Sequence, residues 1–193
     1  IANQQEADNE VYSEEESNAE EESITEENIS EDVYKDSSLI AVDKPDRSDY
    51  QTGYTVTLGL NTGDEPESLP EEGVYDWFKE NGAAYGFILR YDLGKENFTH
   101  HSGNTSQFRY VGKPHAELMK QKNICLEEYI NYVQTLTYEK NPVEVTLQNG
   151  ACYSVYYVDS QGAETSVPVP KDKTYTLSGD NDKGFVIAVL LSQ

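Results

Sequence analysis

No stretch of the 193-residue chain approaches the ~20 apolar residues in a row that a membrane span needs. Basic side chains are also scarce: 14 Lys and Arg stand against 36 Asp and Glu, a formal net charge of −22. That excludes nucleic acid as the default partner, because a phosphate backbone would be repelled, and it argues against an anionic lipid surface. There are two cysteines, Cys125 and Cys152, and no C-x-x-C, which excludes a zinc knuckle of that kind. One disulfide is permitted, but nothing in the spacing requires it, and two free thiols are expected. Cys125 has no His and Asn placed to make it a nucleophile. No internal repeat is present.

The acidity is concentrated. Residues 1–36 hold 14 acids and one base, Lys35, against only five large aliphatics. That is too little apolar surface to offset the entropy of ordering, so residues 1–37 are expected to be an acidic disordered tether. An acidic helix docked on the body is the rival reading. The chain starts at Ile1 rather than Met, as expected where a leader was removed or the chain trimmed. The remaining ~157 residues suffice for one ordinary domain with a core.

Along that body the hydrophobic period alternates between two and 3.6. GYTVTLGL (53–60) sets Val56, Leu58 and Leu60 on one strand face. Residues 61–73 read as a loop. Val74, Trp77 and Phe78 mark a helix from about 74 to 81, with Gly82 placed to end it. FILRY (87–91) and SQFRYVG (106–112) are strands. Pro114 suits the first turn of a helix over 114–122, and LEEYINYVQTL (126–136) is a second. From Pro142 the period returns to two, with Asn149-Gly150 as a hairpin signal and a second strand pair over 174–179 and 184–192. The fold class is therefore α+β, with an acidic segment 1–37, a domain 38–140 and a β-hairpin module 141–193.

Candidate metal ligands are few. His100 and His101 are adjacent, so on a strand they would point to opposite faces; both are expected to be exposed in a loop. His115, at a helix start, is expected to face solvent. Tyr50, Tyr54, Tyr85, Tyr91 and Tyr110 could floor a peptide or glycan site or serve only as packing.

Four segments occur in one order: RSDYQTGYTVTL (47–58), VYDWFKENGAAYGFILRYDLGKENFT (74–99), SQFRYVGKPHAEL (106–118) and ICLEEYI (124–130). Together they closely resemble the VanY-type D-alanyl-D-alanine carboxypeptidases, zinc peptidases that trim peptidoglycan stem peptides. Residues 143–193 also look like the β appendage of some members. The resemblance implies a VanY-type scaffold and a site built from two motifs. In S-x-H-x-x-G-x-A-x-D, the His and Asp bind zinc. In E-x-W-H, the Glu is the general base and the His the third ligand. Three ligands leave an open position at which bound water becomes acidic, and the carboxylate moves its proton.

At the first motif this chain reads Ser48, Tyr50, Gln51 and Thr57, with Tyr50 at the His and Thr57 at the Asp position. At the second it reads Asn104, Ser106 and Gln107, with Asn104 at the Glu position and Gln107 at the His, followed by Arg109. Neutral amides and hydroxyls are poor zinc ligands, and Asn is no general base. The family's segment before the first motif, with its substrate-binding Arg, is expected to be absent too. The expectation is therefore a non-catalytic relative without a cofactor, in which Ser48, Tyr50, Gln51, Thr57, Asn104, Gln107 and Arg109 line a vacated ligand cleft. It would be a bacterial cell-envelope or extracellular protein binding a peptidoglycan peptide or a protein partner, with a homo-oligomer covering any exposed face. Two alternatives stand: an active zinc D,D- or L,D-carboxypeptidase, and an interaction protein acting through the β module.

Overall fold

A computed structural model describes residues 38–42, 52–61, 67–70 and 72–193. The expected acidic tether and the positions Ser48, Tyr50 and Gln51 lie outside the described residues. Two antiparallel sheets and four helices make up the described part, in keeping with the expected α+β class. The first sheet contains β1 (Ser38–Val42), β2 (Thr55–Asn61), β3 (Glu67–Ser68), β4 (Phe87–Tyr91) and β5 (Asn104–Tyr110). Its order is β1-β2-β5-β4, with β3 on β2. The second contains β6 (Val143–Thr146), β7 (Cys152–Asp159), β8 (Tyr175–Gly179) and β9 (Gly184–Ser192), in the order β6-β7-β9-β8. The helices are α1 (Val74–Asn81), α2 (Glu96–Thr99), α3 (Lys113–Lys122) and α4 (Leu126–Val133).

The alternation of β2 decides the first core. Val56, Leu58 and Leu60 pack with Phe108 of β5 against Leu69, Tyr75 and Phe78. Phe78 and Phe108 stack with ring centroids 4.4 Å apart. Helix α1 ends at Asn81 with Gly82 as its C-cap, as expected. Gly82 keeps right-handed dihedrals and opens a 3₁₀ turn to Tyr85, which Gly86 at φ 87° closes. Gly86 is required twice over, since a Cβ there would also meet the Tyr110 ring at 2.8 Å. Three elements carry too little periodicity to be read in advance: the single-turn α2, the two-residue β3 within the expected loop 61–73, and β1, which pairs antiparallel with β2 from Ser38↔Asn61 to Val42↔Thr57.

The second sheet is not a free appendage. Leu118, Met119, Tyr129, Val133 and Leu136 from the helical stretch bury against Val145, Val155, Tyr157, Val186 and Ala188. The ion pair of Arg90 on β4 with Glu127 on α4, at 2.8 Å, ties the helices to the first sheet. Helix α4 stops at Val133, three residues before the end of the expected span. Gln134 then turns outward and donates to Asp180 at 2.9 Å. Asp180 also accepts the Tyr157 hydroxyl at 2.7 Å and the backbone N–H groups of Asp182, Lys183 and Gly184. Partial burial opposes ionisation, yet these donors hold its carboxyl well below the usual carboxylate range. Cys125 and Cys152 are both free.

His115 corrects another expectation. It is buried, and its Nδ1 lies 2.6 Å from the Tyr129 hydroxyl, joining α3 to α4. The stripe of α3 brings His115, Ala116, Leu118 and Met119 inward together. Burial pushes the imidazole down from about 6.5 to about 4. A base whose folded pKa lies below its unfolded value stabilises fully above about pH 6.5, and that contribution is lost as pH falls toward about 4. An NMR titration is expected to find His115 neutral down to about pH 4; titration of His115 near 6.5 would contradict its burial.

Gly184 opens β9 where a Cβ would fall inside the contact distance of Val158 O. Gly184→Ala is expected to cost about 2–3 kcal/mol in urea denaturation, an overpacking penalty against backbone. A change within about 0.5 kcal/mol would show that the β7–β9 approach is slack.

Candidate functional site

The site follows from the pairing of β2 with β5. In the antiparallel register Thr57 faces Gln107, and Thr55 faces Arg109. Opposed residues share a face, so these four form two rows on the side opposite Val56 and Phe108. Ile88 of β4 extends the Arg109 row. The lower row is uncharged and buried, with Thr57 5% and Gln107 2% exposed. Arg109 is half-buried at the end of the floor, and its Nη1 donates to Thr55 Oγ1 at 3.3 Å. Tyr54 and Tyr110 beside it are exposed. A floor of hydroxyl and amide groups, bounded by one fixed guanidinium, can hold an extended peptide by hydrogen bonds and meet a carboxylate.

The fold thus brings together Thr57, Gln107 and Arg109 from the expected set. It adds Thr55, which spacing alone does not single out because only the strand register places it under Arg109. Asn104 lies on the same strand, but its Oδ1 accepts the Ser106 N–H at 2.8 Å. Ser106 points away from the floor: its Oγ accepts the buried Leu69 N–H at 2.8 Å, while Thr105 Oγ1 donates to Leu69 O at 2.6 Å. These two bonds pin the segment leading into α1 across β5. Of the candidate tyrosines, Tyr91 is buried against His101 at 4.5 Å between centroids, whereas Tyr54, Tyr85 and Tyr110 are exposed. They do not form one floor. His100 and His101 are exposed, as expected. Cys125 is buried, and burial pushes its thiol pKa up, which keeps it protonated and inert.

Zinc is held by thiolate, imidazole and carboxylate. Among the described residues no three His, Cys, Asp or Glu side chains gather to hold a metal. Thr57 and Gln107 offer a hydroxyl and an amide, so the described donors do not fit a zinc ion.

A family model described as D-alanyl-D-alanine carboxypeptidase matches residues 2–113, which takes in both strands of this floor. A D-alanyl-D-alanine carboxypeptidase of Enterococcus faecium is 34% identical over 68% of this chain and 42% of its own length. The solved D,D-dipeptidase VanXYg, in complex with a D-Ala-D-Ala phosphinate analogue, is 34% identical with a TM-score of 0.69. The match covers 77% of this chain and 60% of that one. A VanY from a VanB-type resistance cassette, solved with Zn(II), is 33% identical over 44% of this chain and 45% of its own, with a TM-score of 0.38. The chain spans about two fifths of the length of its Enterococcus faecium relative.

These likenesses correct two expectations. A chain without catalytic activity does not stand against a carboxypeptidase relative that is 34% identical over 68% of it. Nor does the absence of a cofactor, which was inferred from the same inactivity and has no support in the family match. Both expectations rested on Tyr50, Thr57, Asn104 and Gln107. Tyr50 lies outside the described residues, with Ser48 and Gln51, so the described donors are a partial set.

The Ser106 pin is testable on its own. Ser106→Ala leaves the buried Leu69 N–H without its acceptor and is expected to cost about 1–2 kcal/mol in chemical denaturation. Hydrogen exchange at Leu69 should rise with it; an unchanged Leu69 amide would show that the bond does not hold the segment.

Proposed function

The chain belongs to the D-alanyl-D-alanine carboxypeptidase family, and we propose that it acts on peptides ending in D-alanyl-D-alanine, releasing the terminal D-alanine. The match over residues 2–113 carries this reading, because it ends just beyond β5 and so includes the whole two-strand floor. The neutral floor supports it chemically. A stem peptide presents amides along its length and a carboxylate at its end. Thr57 and Gln107 can exchange hydrogen bonds with the amides, and Arg109, fixed by Thr55, is the cation that meets the carboxylate. A guanidinium also offsets, at short range, the repulsion that an anionic ligand feels from a chain of net −22.

Peptidoglycan is then the substrate source, and the cell wall is where the protein acts. Among the described residues no helix is long and apolar enough to cross a membrane. The floor's part in the reaction is to orient the terminal residue so that water can attack its amide and D-alanine can leave.

The test incubates the full chain with a pentapeptide ending in D-Ala-D-Ala, with and without added zinc, and quantifies free D-alanine. Release is expected, and Arg109→Gln is expected to lower kcat/KM by about tenfold or more, the loss of one charge-assisted pair. Neither release nor binding under either condition would overturn the reading.

A further inference from the structure

On the second sheet, away from the floor just described, lies a groove of about 350 Å³ that none of the carboxypeptidase chemistry uses. That volume falls within the range of small-ligand clefts, about 300–1,000 Å³. Three segments meet there. Thr137, Tyr138, Glu139 and Lys140 come from the turn after α4, Tyr157 and Val158 from the end of β7, and Gln161, Ser166 and Pro168 from the β7–β8 connection. We propose that this groove is a saccharide-binding site, with Tyr138 as its stacking platform and Gln161, Ser166 and Lys140 as its hydrogen-bonding rim.

The platform is built before any ligand arrives. Tyr138 is 45% exposed, yet its ring packs 5.0 Å from the ring of Tyr156, which is buried. The Tyr156 hydroxyl in turn donates to Pro168 O across the groove. One face of Tyr138 is thereby supported and part of its surface stays open, the arrangement in which C–H groups of a sugar ring pack on an aromatic face. The side chains of Glu139, Lys140, Gln161 and Ser166 are exposed and have no hydrogen-bond or ion-pair partner among the described residues.

Charge and main-chain bonding narrow the ligand. Glu139 and Lys140 are one acid and one base side by side, so the groove attracts neither a polyanion nor a polycation, and a neutral ligand fits. A peptide adding as a strand needs free main chain. Here Tyr157 N–H already donates to Leu136 O at 2.7 Å, and Thr137 N–H to Asn141 Oδ1 at 2.9 Å. What remains is an aromatic face with side-chain donors and acceptors, which suits the equatorial C–H faces and hydroxyls of a neutral glycan.

This inference does not rest on the β2–β5 floor, and the test keeps the two apart. The full chain is titrated with the tetramer of β-1,4-linked N-acetylglucosamine and followed by calorimetry and by backbone amide shifts. Saturable binding is expected, with shifts at Tyr138, Gln161 and Ser166 and none at Thr57 or Gln107. Tyr138→Ala is expected to weaken binding by about tenfold or more, whereas Tyr138→Trp retains it and shows that the turn still folds. D-alanine release from a short peptide should be the same in all three proteins. No saturable binding by the wild-type chain, shifts confined to β2 and β5, or undiminished affinity in Tyr138→Ala would each overturn the proposal.

Discussion

The register of β5 against β2 is the constraint on which the site depends. Because successive side chains alternate in face, a slip of one residue would turn Gln107 and Arg109 into the apolar layer and Phe108 out of it. The register is held from below by Phe108, clasped by Val56, Leu58 and Phe78. It is held from the side by Ser106 and Thr105, which together take both main-chain groups of Leu69. The polar floor is thus a consequence of where one phenylalanine is buried.

A second dependence runs through α3 and α4. Their inward stripe is shared by both sheets: Ile88 of the first sheet and Val155, Val186 and Ala188 of the second pack on the same helical residues. The hydrogen bond between His115 and Tyr129 locks the two helices to each other within that core. At the far end Asp180 gathers Gln134, Tyr157 and the β8–β9 turn on one carboxylate. These contacts make residues 143–192 an integral layer of the fold, and the groove at Tyr138 sits at the rim of that layer.

Much of this was legible in the sequence. Period-two alternation located β2, β4, β5 and the four C-terminal strands, and the apolar stripe at Leu126, Tyr129, Ile130 and Val133 located α4. What failed did so for physical reasons. The 3₁₀ turn after α1 carried no signal, because Gly82 caps the helix in right-handed dihedrals and the left-handed stop falls at Gly86, where the ring of Tyr110 leaves no room for a side chain. His115 looked like a solvent-facing residue at a helix start, but the stripe it belongs to is set by tertiary packing against Tyr129. Thr55 carried no signal, since its role comes from the strand opposite. The conclusion of an inactive chain without a cofactor, drawn from Tyr50, Thr57, Asn104 and Gln107, did not hold against the family match through residue 113.

The central claim is that the Thr57–Gln107 and Thr55–Arg109 rows form the floor that receives a D-alanyl-D-alanine terminus. The most direct test is an amide-shift titration of the full chain with D-alanyl-D-alanine. The account predicts saturable shifts centred on Thr55, Thr57, Gln107 and Arg109. Saturation centred elsewhere in the chain, or no shift at these four residues, would contradict it.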